Sequence, residues 1–327
     1  MVSLMYKFLV TTSISVIFTT TLLIFSQKKI IYKPEPLEEL SCSKLNMEDV
    51  NYIVEYTEKN PEICNASENR LKLLIIVTSA PSHKNLRLAI RDTWGSATLT
   101  REIDIAFLLG YTHNKSIEES LLMEQTIYGD LIRASFIDTY DNMTLKTITM
   151  LHWANKFCSN AKFLLKADDD TFININRLML YMGYIPEGKD ALYGHLLEDQ
   201  PPCRDVSSKY YLSFEQYEYE ILPTFLSGSS YLLPMHVTEK LLLNAQRRPL
   251  FKLEDIFLSG FIAGDLGIPL IHTSMFNHLE LSKKSYCYLR SFISVHYVDV
   301  KQQYDLWQIL LYPEKYCYHN ILLELPQ

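Results

Sequence analysis

Three adjacent carboxylates, Asp168, Asp169 and Asp170, are the most chemically loaded run in this chain. Like charges this close repel one another and cost stability unless a cation or solvent offsets them. Phe163-Leu164-Leu165 precedes the run and Phe172-Ile173 follows it, which holds the loop against a core. Carboxylate oxygens, completed by phosphate oxygens, make the hard shell that Mg2+ or Mn2+ prefers. A solvated acidic turn is the plainer alternative, and acid–base work by neighbouring carboxylates is geometrically awkward. An EF-hand is excluded, because no spaced oxygen ligands, loop glycine or terminal glutamate follow. The chain also holds no G-x-x-x-x-G-K-[ST] loop, G-x-G-x-x-G turn, H-E-x-x-H pair or G-x-S-x-G elbow. P-loop, dinucleotide, zinc-protease and α/β-hydrolase chemistry thereby lose their usual support.

The elements that must position the triplet read as an alternation. Residues 71–77 form a near-continuous apolar run, as a strand buried on both faces requires. Residues 85–94 have helical character, and 103–109 form a second strand ended by Gly110. A helix at 116–126, a strand at 131–137 and a helix at 144–158 follow; in the last, Leu145, Ile148, Leu151 and Trp153 fall near helical spacing. Residues 163–165 make the fourth strand. Strands alternating with helices predict an α/β fold with a mostly parallel sheet flanked by helices. Ligands of such sheets bind beyond the carboxyl ends of the strands, where the triplet falls.

At 327 residues, with 48% apolar and 21% charged residues, the chain suits a sizeable core plus an N-terminal attachment. A formal charge of -7 excludes a general nucleic-acid binder. Cys42, Cys64, Cys158, Cys203, Cys287 and Cys317 form no C-x-x-C pair, so a zinc ribbon or thioredoxin motif is not expected. Residues 8–26 are uncharged and apolar between Lys7 and Lys28. As a helix they span about 28 Å, close to the roughly 30 Å hydrocarbon core. A cleaved signal peptide is the rival, but the exit lacks a small-x-small cleavage site, which favours a signal anchor. Lys28, Lys29 and Lys33 outnumber Lys7, which by itself places the carboxyl side in the cytoplasm. The sequons at Asn65, Asn114 and Asn142 point the other way, to a lumenal chain. The expected organisation is a tail at 1–7, an anchor at 8–26, a stem at 27–70 and a catalytic domain at 71–327.

Five blocks resemble, in order, the β-1,3-galactosyltransferase family (β-1,3-glycosyltransferases, glycosyltransferase family 31). Arg87-Leu88-Ala89-Ile90-Arg91-Asp92-Thr93-Trp94 is similar to its R-x-x-I-R-x-T-W block, and Asn142-Met143-Thr144-Leu145-Lys146-Thr147 to its N-L-T-L-K-T block. Residues 164–174 match L-K-x-D-D-D-x-F-x-N, Ser227-Gly228-Ser229-Ser230-Tyr231 the S-G-x-x-Y turn, and the segment from Glu254 to Gly260 the E-D-V-x-x-G stretch. The resemblance implies a GT-A type nucleotide-sugar fold, a type II anchor and a lumenal domain in the Golgi membrane, which resolves the orientation in favour of the sequons. It implies inverting transfer from a UDP-sugar to a 3-hydroxyl of an acceptor glycan, with Mn2+ or Mg2+. UDP-galactose is the expected donor and UDP-GlcNAc the alternative; a catalytically silent glycan-binding protein is a third reading. Asp170 and His296 are the metal ligands it implies, and Asp168 faces the ribose or reaches the metal through water. Asp169, Arg87 and Arg91 complete the donor side, with packing or an ion pair the plainer alternative for the two arginines. Asp255 is the base, with Glu254 orienting it or the acceptor; an exposed helix start is the plainer alternative, since acidic residues suit a helix N-terminus. The chain departs from the family at Leu226, where cysteine is common, and at Ser229 and Ser230, where small residues or glycine are usual.

Overall fold

Leu73–Thr78 is buried at every position, because alternate side chains enter two separate cores. Leu74 and Ile76 face one with Ile148, Leu151 and Trp153. Leu73, Ile75 and Val77 face the other with Ile90, Trp94, Leu178 and Leu306. A sheet covered on both faces explains the absence of a polar alternation.

The computed structural model describes residues 31–32, 55–67, 71–96 and 102–321. The apolar segment 8–26 and Cys42 lie outside them. Among the described residues no helix is long and apolar enough to cross a membrane. From residue 55 onward the strands are β1 (Tyr56–Glu58), β2 (Leu73–Thr78), β3 (Ile103–Tyr111), β4 (Leu131–Ile137), β5 (Phe163–Asp168), β6 (Phe172–Ile173), β7 (Leu192–Leu197), β8 (Phe225–Pro234), β9 (Leu270–His272), β10 (Phe276–Asn277) and β11 (Ser294–Val295). The helices are α1 (Lys84–Asp92), α2 (Lys115–Tyr128), α3 (Met143–Phe157), α4 (Ile175–Met182), α5 (Met235–Ala245), α6 (Val300–Leu311) and α7 (Pro313–Ile321).

These strands join the main sheet in the order β9-β7-β8-β5-β2-β3-β4-β1. The centre, β5-β2-β3-β4, is parallel, as expected. The sheet as a whole is mixed: β8 runs antiparallel to both β5 and β7, and β1 antiparallel to β4. Hydrophobic periodicity carries no strand direction, so the sequence did not separate these cases. The reversal has a consequence for the site. Ala167 pairs with Ser230, which brings the start of β8 beyond the carboxyl end of β5. A small sheet, β10-β11-β6, sets Val295 against Phe172 and so carries His296 to the triplet.

Residues 55–67, placed in the stem by the sequence, belong to the folded domain. β1 pairs with β4, the Trp153 indole donates to Lys59 O at 2.5 Å, and Cys64 is disulfide-bonded to Cys158. A second disulfide joins Cys287 to Cys317, and Cys203 is free.

Candidate active site

β5 ends at Asp168, beside Thr78 of β2, whose hydroxyl donates to Asp168 Oδ1 at 2.7 Å. Asp168, Asp170 and His296 each turn one ligand atom into a group whose members lie within 4.8 Å of one another. His296 Nδ1 faces the His278 carbonyl at 3.2 Å, while Nε2 lies 3.2 Å from Asp170 Oδ1. With Nδ1–H donating to that carbonyl, Nε2 keeps its lone pair for a metal. Burial opposes charge on both partners, yet their mutual hydrogen bond and attraction prevail: the His296 pKa is raised and that of Asp170 lowered. Two carboxylates and one imidazole fit Mn2+ or Mg2+, with room left for phosphate oxygens. Asp169 turns elsewhere. It is buried and accepts from Ser79 Oγ at 2.7 Å, with His83 Nδ1 at 2.9 Å.

The acidic pair lies across a buried lysine. Lys166 Nζ stands 2.5 Å from Asp168 Oδ1 and 3.1 Å from Glu254 Oε1, and it donates to the Gly228 carbonyl. Glu254 also accepts from Thr147 Oγ1 at 2.8 Å and Tyr231 Oη at 3.0 Å. Asp255 accepts from Gly228 N at 3.1 Å and Ile256 N at 2.9 Å, at the entry to a π-helical turn, Ile256–Ile262. That turn is wholly buried, so the exposed-helix alternative falls. Burial first, then the charge of Glu254, pushes the Asp255 pKa up to about 7. Space at 228 is tight: a Cβ there would meet Glu254 Oε1 at 3.0 Å and Asp255 Oδ2 at 3.1 Å.

Of the two arginines, Arg87 has every donor committed within the fold, and Arg91 is held by acidic partners. Arg87 is fully buried and commits its guanidinium to Glu124, Ser79 Oγ and the carbonyls of Ala80 and Pro81. Those contacts occupy all of its N–H donors, so none remains for a phosphate. Arg91 pairs with Glu124 and Asp130 and lies over the rings of Phe107 and Tyr128. What Arg87 does is fix the Ser79–Pro81 turn that receives Asp169. Sequence spacing gave the shared helix face but not the acidic partners more than thirty residues away.

Lys166, Lys146 and His83 were missed as individual residues. Lys146, also buried, donates to Ser79 O at 3.0 Å and Asp138 Oδ1 at 2.8 Å. For Lys166 the signal was present: a lysine between Leu165 and Ala167 in a buried strand demands buried counter-ions. Of the sequons, Asn114 is exposed, whereas Asn142 is half-buried and donates to Ile137 O at 2.8 Å.

The sequence has a match among known families: the galactosyltransferase family model covers residues 85–274, from within α1 to just past β9. The chain belongs to the galactosyltransferase family. Over 262 residues this galactosyltransferase-family enzyme is 32% identical to UDP-GalNAc:beta-1,3-N-acetylgalactosaminyltransferase 1 of Homo sapiens, covering 76% of this chain and 77% of that one. Over 250 residues it is 34% identical to beta-1,3-galactosyltransferase 1 of Mus musculus, covering 74% and 75%. Over 228 residues it is 33% identical to lactosylceramide 1,3-N-acetyl-beta-D-glucosaminyltransferase of Rattus norvegicus, covering 66% and 59%. The triplet, the Ser227–Gly228 turn and Glu254-Asp255 all lie inside the matched region.

Proposed function

We propose that this glycosyltransferase moves galactose from UDP-galactose to the 3-hydroxyl of an acceptor sugar, inverting the anomeric carbon to give a β-1,3 linkage. One observation carries the reading: a metal-fitting group, Asp168, Asp170 and His296, is joined through Lys166 to Glu254, beside a half-buried Asp255 whose pKa, pushed up to about 7, suits a general base. Asp170 and His296 would hold Mn2+ or Mg2+, which when bound offsets the charge of the UDP diphosphate. Asp255 takes the proton from the acceptor hydroxyl as that oxygen attacks. Gly228 N and Ile256 N fix the carboxylate's direction, and Glu254, held by Thr147, Tyr231 and Lys166, sets its proton affinity. Lys166 keeps Asp168 and Glu254 from repelling one another across the site.

N-acetylgalactosamine and N-acetylglucosamine are the other donors to test, because relatives of nearly equal identity are named for them. A panel of radiolabelled UDP-galactose, UDP-GalNAc and UDP-GlcNAc, with β-linked sugar acceptors and with or without Mn2+, decides the donor. Product NMR reads the linkage. Transfer from none of the three, with the protein folded, would leave the silent glycan-binding reading in its place.

We place the domain in the Golgi lumen behind a type II anchor. Two disulfides suit an oxidising compartment, and Asn114 is open to modification. Absence of an endoglycosidase-sensitive gel shift in membrane-integrated protein from secretory cells would reverse that orientation.

A further inference from the structure

Ser230 is one of the two serines at which the chain departs from its family's pattern, and at 1% exposure its side chain is out of reach of donor and acceptor. A hydroxyl so deeply buried needs a partner inside the protein. It finds one in the small sheet. Ser230 Oγ donates to Ser294 Oγ at 2.8 Å, and Ser294 is itself 1% exposed. A glycine at 230 would offer β11 no such bond.

Both ends of that bond adjoin the metal-fitting group. Ser230 pairs with Ala167, the residue before Asp168, and the Ser229 carbonyl accepts at 3.2 Å from Oγ1 of Thr171, the residue after Asp170. β8 thereby holds the triplet at both ends. Ser294 stands two residues before His296 on β11. Backbone contacts already tie β11 to β6, with Ser294 opposite Ile173 and Asn174 N donating to Ile293 O at 2.8 Å. The paired hydroxyls add a second tie, from β11 to the main sheet. What the ties maintain is a spacing: His296 Nε2 and Asp170 Oδ1 are 3.2 Å apart. Adjacent ligands of an octahedral Mg2+, each about 2.1 Å from the ion, lie about 3 Å from one another. The two ligand atoms already stand close to the separation that a cation demands, and a drift of β11 by about 0.5 Å would take them out of it.

We propose that Ser230 and Ser294 are positioning residues, whose buried hydrogen bond holds His296 at metal-binding distance from Asp170 and thereby sets the affinity for the divalent cation. This rests on the function proposed above, in which that cation offsets the charge of the UDP diphosphate. Neither serine touches the ion or a substrate. Their effect passes through the placement of the imidazole alone.

The test is calorimetric UDP binding to the full chain in Mn2+, with thermal melting of the metal-free protein alongside. Ser230→Ala and Ser294→Ala should each weaken Mn2+-dependent UDP binding about tenfold, the low end of what removing a ligand's supporting partner does. Each single variant strands one buried hydroxyl and should melt below the parent, whereas the double variant strands none and should melt closer to it. Its UDP binding should nonetheless stay as weak as in the single variants, because one bond cannot be lost twice. That split separates placement of His296 from stability of the fold. Binding restored to the parent's level in the double variant overturns the positioning role, and so do single losses that multiply in it. No Mn2+-dependent UDP binding by the parent overturns the proposed function with it.

Discussion

Replacing Asp255 with asparagine should change stability with opposite sign at low and high pH while removing catalysis at both. Burial and the Glu254 charge push the folded pKa to about 7, against about 3.9 in an unfolded chain. The folded protein therefore keeps a proton that the unfolded chain releases. The stability this contributes is complete below about pH 4 and is lost as pH rises through about 7. The linked cost to the fold is less than about 1 kcal/mol at pH 4 and about 4 kcal/mol at pH 8. Asparagine escapes that cost but gives up a bond. Gly228 N and Ile256 N donate to different carboxylate oxygens, and an amide nitrogen cannot accept, a loss of about 1–3 kcal/mol. The variant should thus be less stable than its parent by about 1–2 kcal/mol at pH 4 and more stable by about 1–3 kcal/mol at pH 8. Urea unfolding in EDTA across that range measures both. Transfer should fall by about 10²–10⁴-fold with UDP binding kept, and parent transfer should climb with pH through about 7. A stability difference that does not vary with pH refutes the raised pKa of Asp255, and retained transfer removes it from the mechanism.

Asp170→Ala should weaken Mn2+-dependent UDP binding by about 10²-fold, His296→Ala by less, and EDTA should abolish it in the parent; calorimetry reads all three. Arg87→Met should cost about 3–5 kcal/mol in chemical denaturation, because Glu124 is left buried and partly unpaired. A donor-contact role would instead leave stability intact and raise the UDP dissociation constant. Gly228→Ala should cut transfer at least about tenfold and stability by about 1–3 kcal/mol, since its Cβ displaces both acidic side chains; a fully active variant would show that they yield freely.

The parallel centre of the sheet was legible because burial on both faces writes an uninterrupted apolar run. The triplet was legible for the opposite reason: carboxylates set amid such runs break local consistency, as functional residues do. Asp168, Asp170 and His296 do converge, although 126 positions separate the last two and only the fold brings them together. Partners of charged helix residues were not legible. For Arg87 and Arg91 a ligand and an ion pair stayed equally open, because nothing in their own block hints at Glu124 or Asp130. Nor was β1, a three-residue strand too short for any periodicity to declare.

That short strand bears on how the folded domain can be handled in isolation. β1 covers the free edge of β4, and Cys64 caps the thiol of Cys158. A chain trimmed to begin at Leu71, where the apolar pattern starts, would uncover a row of unpaired backbone donors and acceptors along β4. It would also release a reactive sulfhydryl at the end of α3. Open strand edges template sheet-to-sheet association, and a leftover cysteine invites cross-linking between molecules. Cleavage upstream of residue 55 spares both contacts, so soluble, monomeric enzyme should come from release on that side of β1 and insoluble, cross-linked material from release on the other.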